Sequence, residues 1–439
     1  MLLFVIYVKI SMKYLKNKKE MVIYMKGLKG AALLGQSGGP TSVINASAAG
    51  VFLEALNQES ITEVYGAVHG IKGILNEEFY DIKKEDVEEL KRLRNTPSSA
   101  IGSVRFKLKD PKKDDSEYRR LLEVFRKYNI RYFFYNGGND SMDTCNKISK
   151  FFKKEGFDCN VVGVPKTIDN DLNVTDHSPG FGSAAKYVAT TFMELYHDAT
   201  VYDTKQVTIV EVMGRNAGWL TAASALAQAK GQGPDLIYLP ENPFDIDTFF
   251  KQVEEVLEEK GKVIVAVSEG IKTKDGKYIP ELYQENLRKD AFGHAQLGGT
   301  AQVLAQELGA RMAVKVRAIE FSLLQRCAAH LASKVDVTEA FNAGKKAVKA
   351  AVKGTTDKMV GFKRVSSNPY KIKYVLIPLK QAANTEQKVP QEWILPNAKG
   401  MTQDFIDYAL PLIQGDDKAA LVDGLPRFAS LNKIRVEKK

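Results

Sequence analysis

The chain is poor in the residues that build covalent or metal frameworks. Its 439 residues include only three cysteines, Cys145, Cys159 and Cys327. None forms a C-x-x-C pair, which excludes a disulfide framework and fits a reducing cytosol. The five histidines are scattered, without H-E-x-x-H or any comparable zinc spacing. No G-x-x-x-x-G-K-[ST] occurs, so a Walker A loop is excluded. The apolar start, Leu2 to Val8, gives way to lysines and has no small-residue cleavage site after it. It is far shorter than the roughly 20 residues that cross a bilayer. Residues 1–25 are therefore read as a poorly ordered extension, and the chain as cytoplasmic with no membrane partner. Internal repeats, low-complexity segments and sustained heptads are also missing.

Hydrophobic residues at 44% and charged residues at 26% are ordinary for a packed globular chain. The net charge of +10 admits polyanions or small phosphorylated ligands. Much of the excess sits in lysine clusters near the two ends with no aromatic interleaving. Such clusters read as a solvated surface, and no nucleic-acid partner is expected.

Short apolar strands alternate with amphipathic helical segments, the pattern of a mostly parallel α/β sheet. Gly30 to Gly35 runs into Gly38-Gly39 and then a helix. Arg131 to Asn136 runs into Gly137-Gly138-Asn139-Asp140-Ser141 and another helix. A glycine turn at a helix N-terminus leaves unpaired N–H groups that can face an anion. Between these two turns, Arg105 ends a small polar stretch, where a guanidinium fork suits phosphate. Further on, Met213-Gly214-Arg215 and Ser268-Glu269-Gly270 stand at strand ends. Lys83 to Leu93 reads as one charged helix. Arg317 and Arg326 lie nine apart on an apolar run, which strand alternation places on opposite faces unless a bend intervenes.

The stretch that organises the rest is Val161 to Asp171, in which a buried β-branched strand ends in Pro165-Lys166-Thr167-Ile168-Asp169-Asn170-Asp171. Ligands of open parallel sheets bind outside the carboxyl ends of strands. Phosphoryl transfer needs phosphate positioning, charge neutralisation and a group that orients the nucleophile. Two glycine turns, the cations Lys166, Arg105 and Arg215, and the pair Asp169 and Asp171 supply all three.

In this order these motifs are similar to those of the 6-phosphofructokinases, and within them the pyrophosphate-dependent type. The resemblance runs from Gly30 to at least Arg326. It implies two doubly wound, Rossmann-like α/β domains with mostly parallel sheets and the active site in the cleft between them. It places a phosphoryl-donor domain at 26–180 with 325–372, and a sugar-phosphate domain at 181–324 with 373–439. The implied reaction is reversible transfer from pyrophosphate to the 1-hydroxyl of fructose 6-phosphate, a step of glycolysis and gluconeogenesis, with Mg2+. Asp169 is the implied base, with Lys166, Thr167 and Asp171 beside it. Gly39, Arg105, Gly138, Asp140, Ser141 and Lys166 are implied at the donor. Thr167, Asp169, Met213, Gly214, Arg215, Glu269 and Arg326 are implied at the sugar phosphate. Arg317 is implied to reach it from a neighbouring subunit of a homo-oligomer, a dimer or tetramer. Gln206 replaces an arginine of the family, and Lys205 beside it can carry part of that charge. Asn139 occupies the metal position, where the family has an acid, and Leu323 stands where many bacterial relatives have a histidine.

Two positions bear on the donor. ATP users have a small residue where this chain has Asp140, and glycine where it has Lys166. A carboxylate repels a nucleotide's α-phosphate, and a lysine neutralises bare pyrophosphate. The alternatives are an ATP-dependent 6-phosphofructokinase and a non-catalytic phosphate-binding regulator.

Overall fold

The computed structural model describes residues 28–282, 299–383 and 386–439. The expected extension, 1–25, lies outside these residues. The alternating pattern folds into two sheets with helices on their faces, the doubly wound α/β arrangement expected. The first sheet has seven strands in the order β11-β10-β5-β4-β1-β2-β3. They are β1 (Gly30–Gln36), β2 (Ile61–Ala67), β3 (Phe79–Asp81), β4 (Ile130–Gly137), β5 (Asn160–Pro165), β10 (Lys358–Ser367) and β11 (Tyr370–Pro378). Its interior strands run parallel, and β3 and β11 close the edges antiparallel. The second sheet is parallel throughout, in the order β7-β8-β6-β9. Its strands are β6 (Gln206–Val212), β7 (Leu236–Tyr238), β8 (Lys262–Ser268) and β9 (Lys315–Glu320).

Helices on both faces explain why β1, β5 and β6 are buried along their whole length and read as apolar runs rather than alternating ones. One face of the first sheet carries Ile44–Leu56 and Lys334–Val352. These two helices touch through glycine: a Cβ on Gly50 would lie 2.0 Å from the Phe341 carbonyl oxygen, and one on Gly344 2.1 Å from that of Ser47. The other face is filled by aromatic side chains, among them Phe125, Phe133 and Phe152.

The chain returns between the sheets later than expected. β11 is the hairpin partner of β10, so the first sheet takes in residues through Pro378 rather than ending at 372. The C-terminal tail also lies against this sheet and not the second: Val436 N–H donates to the Phe79 carbonyl at 2.9 Å and Arg427 pairs with Glu89 at 2.7 Å. Between them, Trp393, Phe405 and Tyr408 pack around Trp219 on the second unit. The stretch Lys83 to Leu93 is not one helix. Asp86 accepts from the Glu88 and Glu89 amides, which caps a new helix, Val87–Arg92, in its middle.

Candidate active site

Three strand ends of the first sheet form one wall. After β1, Gly38 turns with φ +77°, and a Cβ there would meet the Lys166 ammonium at 3.3 Å. The positive φ favours glycine here, and the lysine contact leaves little room for a side chain. The Ser103 hydroxyl donates to the Gly38 carbonyl at 2.6 Å, and Gly38 N–H donates to the Val104 carbonyl at 3.0 Å. These bonds fasten the Arg105 loop to the glycine turn. After β4 the helix Asn139–Lys154 begins directly, with Asp140 exposed in its first turn.

After β5, Lys166 donates its backbone N–H to Gly137 at 3.0 Å, and its ammonium to the Gly39 carbonyl at 2.6 Å. All three loops are thereby held on one lysine. Burial pushes its pKa down to about 8; the charges of Asp169 and Asp171 oppose the fall, and Arg105 and Arg326 assist it. Thr167 Oγ1 accepts from the Asp169 N–H at 3.0 Å, which sets the turn. Asn170 has φ +55°, a conformation asparagine tolerates better than most residues. Its amide donates to the Tyr408 hydroxyl at 2.7 Å, and its oxygen accepts from Ser178 N–H at 2.9 Å. Asp169 and Asp171 are left facing the cleft. Burial raises both carboxyls, Asp171 to about 7, and each also feels the charge of Glu386. Lys166, Arg215 and Arg105 hold Asp169 back from a larger rise.

The opposite wall comes from the second sheet. Gly214 N–H donates to Glu269 Oε1 at 3.3 Å, and Met213 N–H to Gln325 Oε1 at 3.1 Å. Burial, with Asp169 nearby, lifts Glu269 to about 7 against the pull of Gly214 N–H, Arg215 and Arg105. The bend needed between Arg317 and Arg326 exists: β9 ends at Glu320, Ser322 turns with φ +43°, and Leu324–Cys327 is a short helix. Arg326 enters the cleft, while Arg317 pairs with Asp198 at 3.3 Å on the other side.

The walls enclose about 1160 Å3. Gly39, Arg105, Gly138, Asn139, Asp140, Ser141, Lys166, Thr167, Asp169, Asp171, Met213, Arg215, Glu269, Leu323 and Arg326 all line this space. Gly214 is buried just behind it, serving Glu269. Lys205, Gln206 and Arg317 are not brought to it within one chain. Gln206 opens β6, whose seven residues carry the chain about 20 Å to the site end. Its amide is buried and donates to the Ala199 carbonyl at 2.6 Å, while Lys205 pairs with Glu258 at 2.6 Å on the surface.

The cleft also holds Glu386, which sequence reasoning passed over, and Asn216, Gln325 and Glu211, to which it gave no role. Glu386 pairs with Leu172 in an isolated antiparallel bridge, and it accepts from the Asn216 amide at 3.2 Å. Beneath the loop, the Tyr408 hydroxyl donates to the Asp176 carbonyl at 2.9 Å, next to His177. No local pattern announces such contacts, since the partners stand far apart in sequence.

Among the described residues, no group of three or more His, Cys, Asp or Glu is disposed to hold a metal by itself. Two buried oxygens do lack hydrogen-bond partners here: Asn139 Oδ1 and Asp171 Oδ1. Asn139 Nδ2 donates to Asp171 Oδ2 at 2.9 Å, so the two side chains stand together. Neutral and anionic oxygens so placed fit a hard divalent cation whose remaining ligands would come from water or a bound anion.

A family model described as phosphofructokinase matches residues 31–320. The chain belongs to the phosphofructokinase family. Enzymes of this family are phosphotransferases that typically use a divalent metal. It is 45% identical to a pyrophosphate--fructose 6-phosphate 1-phosphotransferase of Halomonas elongata, over 93% of this chain and 97% of that one. A sulfofructose kinase of Alkalicoccus urumqiensis is 30% identical over 84% of this chain and 97% of its own. The crystal structure of a pyrophosphate-dependent phosphofructokinase from Nitrosospira multiformis superposes with a TM-score of 0.85 at 38% identity, covering 93% of this chain and 98% of that one. Phosphofructokinase architecture thus accounts for both sheets and the cleft between them. Among the described residues no helix is long and apolar enough to cross a membrane.

Proposed function

We infer that this phosphofructokinase reversibly transfers a phosphoryl group from pyrophosphate to the 1-hydroxyl of fructose 6-phosphate, giving fructose 1,6-bisphosphate and phosphate. The observation that carries the donor assignment is the buried Lys166 ammonium, fixed 2.6 Å from the Gly39 carbonyl at the junction of three loops. A donor without a nucleoside must be held by its phosphates alone, and a desolvated point charge suits that. Asp140 supports the same reading: it sits in the first turn of Asn139–Lys154. There its carboxylate takes the place on the helix dipole that a nucleotide phosphate would use.

In this account Gly38 and Gly39 let donor oxygens approach the backbone, while Lys166 and Arg105 neutralise them. Arg215, Glu269 and Arg326 hold the sugar phosphate with its 1-hydroxyl toward Asp169. Asp169 accepts the hydroxyl proton as the oxygen attacks the near phosphorus; the bond to the bridging oxygen breaks and phosphate leaves. Its raised carboxyl makes it a better base than an exposed aspartate. Asn139 and Asp171 would hold Mg2+, which when bound draws charge from the donor's phosphate oxygens. Arg317 and Lys205 are assigned to a neighbouring copy's sugar phosphate in a homo-oligomer. The donor-binding unit takes 28–180 with 325–378 and the tail 421–439; the sugar-binding unit takes the remainder. Glycolytic and gluconeogenic flux in the cytoplasm is the setting this reaction fits. The test is turnover with each donor: pyrophosphate supports saturable turnover and ATP does not. The reverse result would return the chain to the ATP-dependent type.

A further inference from the structure

The resemblance implies an acid where this chain has Asn139, and Glu386 lines the same cleft as Asn139. Glu386 comes from a different part of the chain, is exposed, and is held by its backbone. Its bridge to Leu172 is continued by Gln387 N–H, which donates to the Asp171 carbonyl at 2.8 Å. The Gln387 carbonyl accepts from the Trp219 indole at 2.8 Å, and Val389 N–H donates to Glu241 at 3.0 Å. Backbone pairing of Glu386 with Leu172 and of Gln387 with Asp171 thus sets Glu386 at the end of the catalytic loop. Its Oε1 accepts from Asn216 at 3.2 Å, on the loop that carries Arg215. Asn139, Asp171, Asp169 and Glu386 all line one cleft.

Three carboxylates that line one cleft repel one another. Nothing in the packing demands a third: a glutamine in place of Glu386 could accept from Asn216 equally well. Meanwhile Asn139 Oδ1 and Asp171 Oδ1 are buried without hydrogen-bond partners. A third carboxylate on the cleft that holds these two orphaned oxygens is accounted for by a cation.

We propose that Glu386 supplies the negative charge, lost at Asn139, that holds the divalent cation in the donor pocket. This rests on the reading of the cleft as a pyrophosphate site. Magnesium commonly keeps several waters and takes only one or two carboxylates directly. Glu386 therefore acts as a carboxylate around that shell, consistent with the want of a ready-made cluster of three ligands. Outer-shell partners of this kind are commonly worth about 10- to 100-fold in metal affinity.

The experiment measures Mn2+ binding, by the loss of its free electron paramagnetic resonance signal, on the full chain saturated with pyrophosphate and without sugar. Fructose 6-phosphate affinity is measured separately. Four proteins are compared: wild type, Glu386→Gln, Asn139→Asp and the double variant. Glu386→Gln weakens Mn2+ binding by about 10-fold or more with sugar affinity unchanged. Asn139→Asp alone strengthens Mn2+ binding, and added to Glu386→Gln it restores affinity to near wild type. Unchanged Mn2+ affinity in Glu386→Gln overturns the proposal. So does a loss confined to sugar affinity, which would make Glu386 a tether for the Asn216 loop. Failure of Asn139→Asp to strengthen binding also overturns it, and that variant does not depend on Glu386 variants folding. If wild type binds no Mn2+ with pyrophosphate, the donor assignment itself falls.

Discussion

Replacing His177 by Gln tests how the catalytic loop is held. The imidazole is 3% exposed. Its Nδ1 lies 2.8 Å from Asp176 Oδ1 and its Nε2 2.6 Å from Glu339 Oε2. Arg364 pairs with Asp176 at 2.9 Å, and the Tyr370 hydroxyl donates to Glu339 at 2.8 Å. Two carboxylates therefore face one guanidinium and one imidazolium. Burial works against the histidine's charge, but Glu339 and Asp176 outweigh it and raise the pKa from 6.5 to about 9. At about 1.4 kcal/mol per pH unit the difference is worth about 3 kcal/mol. The folded value lies above the unfolded one, so this stability is fully present below pH 6.5 and is lost as pH rises through about 9. Two readings check it. With five histidines in the chain, the resonance that vanishes in His177→Gln identifies His177, and in wild type it titrates near pH 9. In urea unfolding the deficit of the variant is about 3 kcal/mol below pH 6.5 and shrinks as pH rises from there to about 9. Titration at or below the ordinary value, or a deficit that ignores pH, refutes the reasoning. Because Tyr408 links the Asp176 carbonyl to Asn170, kcat falls in the variant more than sugar affinity does.

Other outcomes follow from the cleft. Asp169→Asn lowers kcat by about 100- to 10,000-fold, the usual range for a general base, with a small change in fructose 6-phosphate affinity by equilibrium titration. Lys166→Met raises the KM for pyrophosphate well above any change for the sugar. In wild type that KM climbs as pH rises through about 8, where the buried amine loses its proton, and the variant lacks this rise. Asp140→Gly removes the carboxylate at the helix start; ATP, inert with wild type, then inhibits competitively against pyrophosphate, measured by initial rates.

Much of this site could be read from local sequence, because its parts are local. Gly38, Gly138 and the Pro165 to Asp171 loop each follow a strand within a few residues, and chemistry at strand ends is a rule of the fold. Asn170 is favoured for its backbone angle and then shared between Tyr408 and Ser178, of which only the first property has a local cause. Glu386, Gln325 and Tyr408 enter through contacts that span much of the chain and leave no periodic trace. Lys205 and Gln206 show the converse. The resemblance marks them as residues that reach a neighbouring subunit, and the direction of β6 takes them to the end of the strand away from their own chain's cleft. The boundary at residue 372 comes with the resemblance and not from any strand pattern in that stretch. Pairing with β10 keeps β11 in the first sheet.

The most direct test of the account is the rate of fructose 1,6-bisphosphate formation from fructose 6-phosphate and Mg2+ with pyrophosphate or ATP as the only donor. The account predicts saturable turnover with pyrophosphate and none above background with ATP. Turnover with ATP and none with pyrophosphate would contradict it.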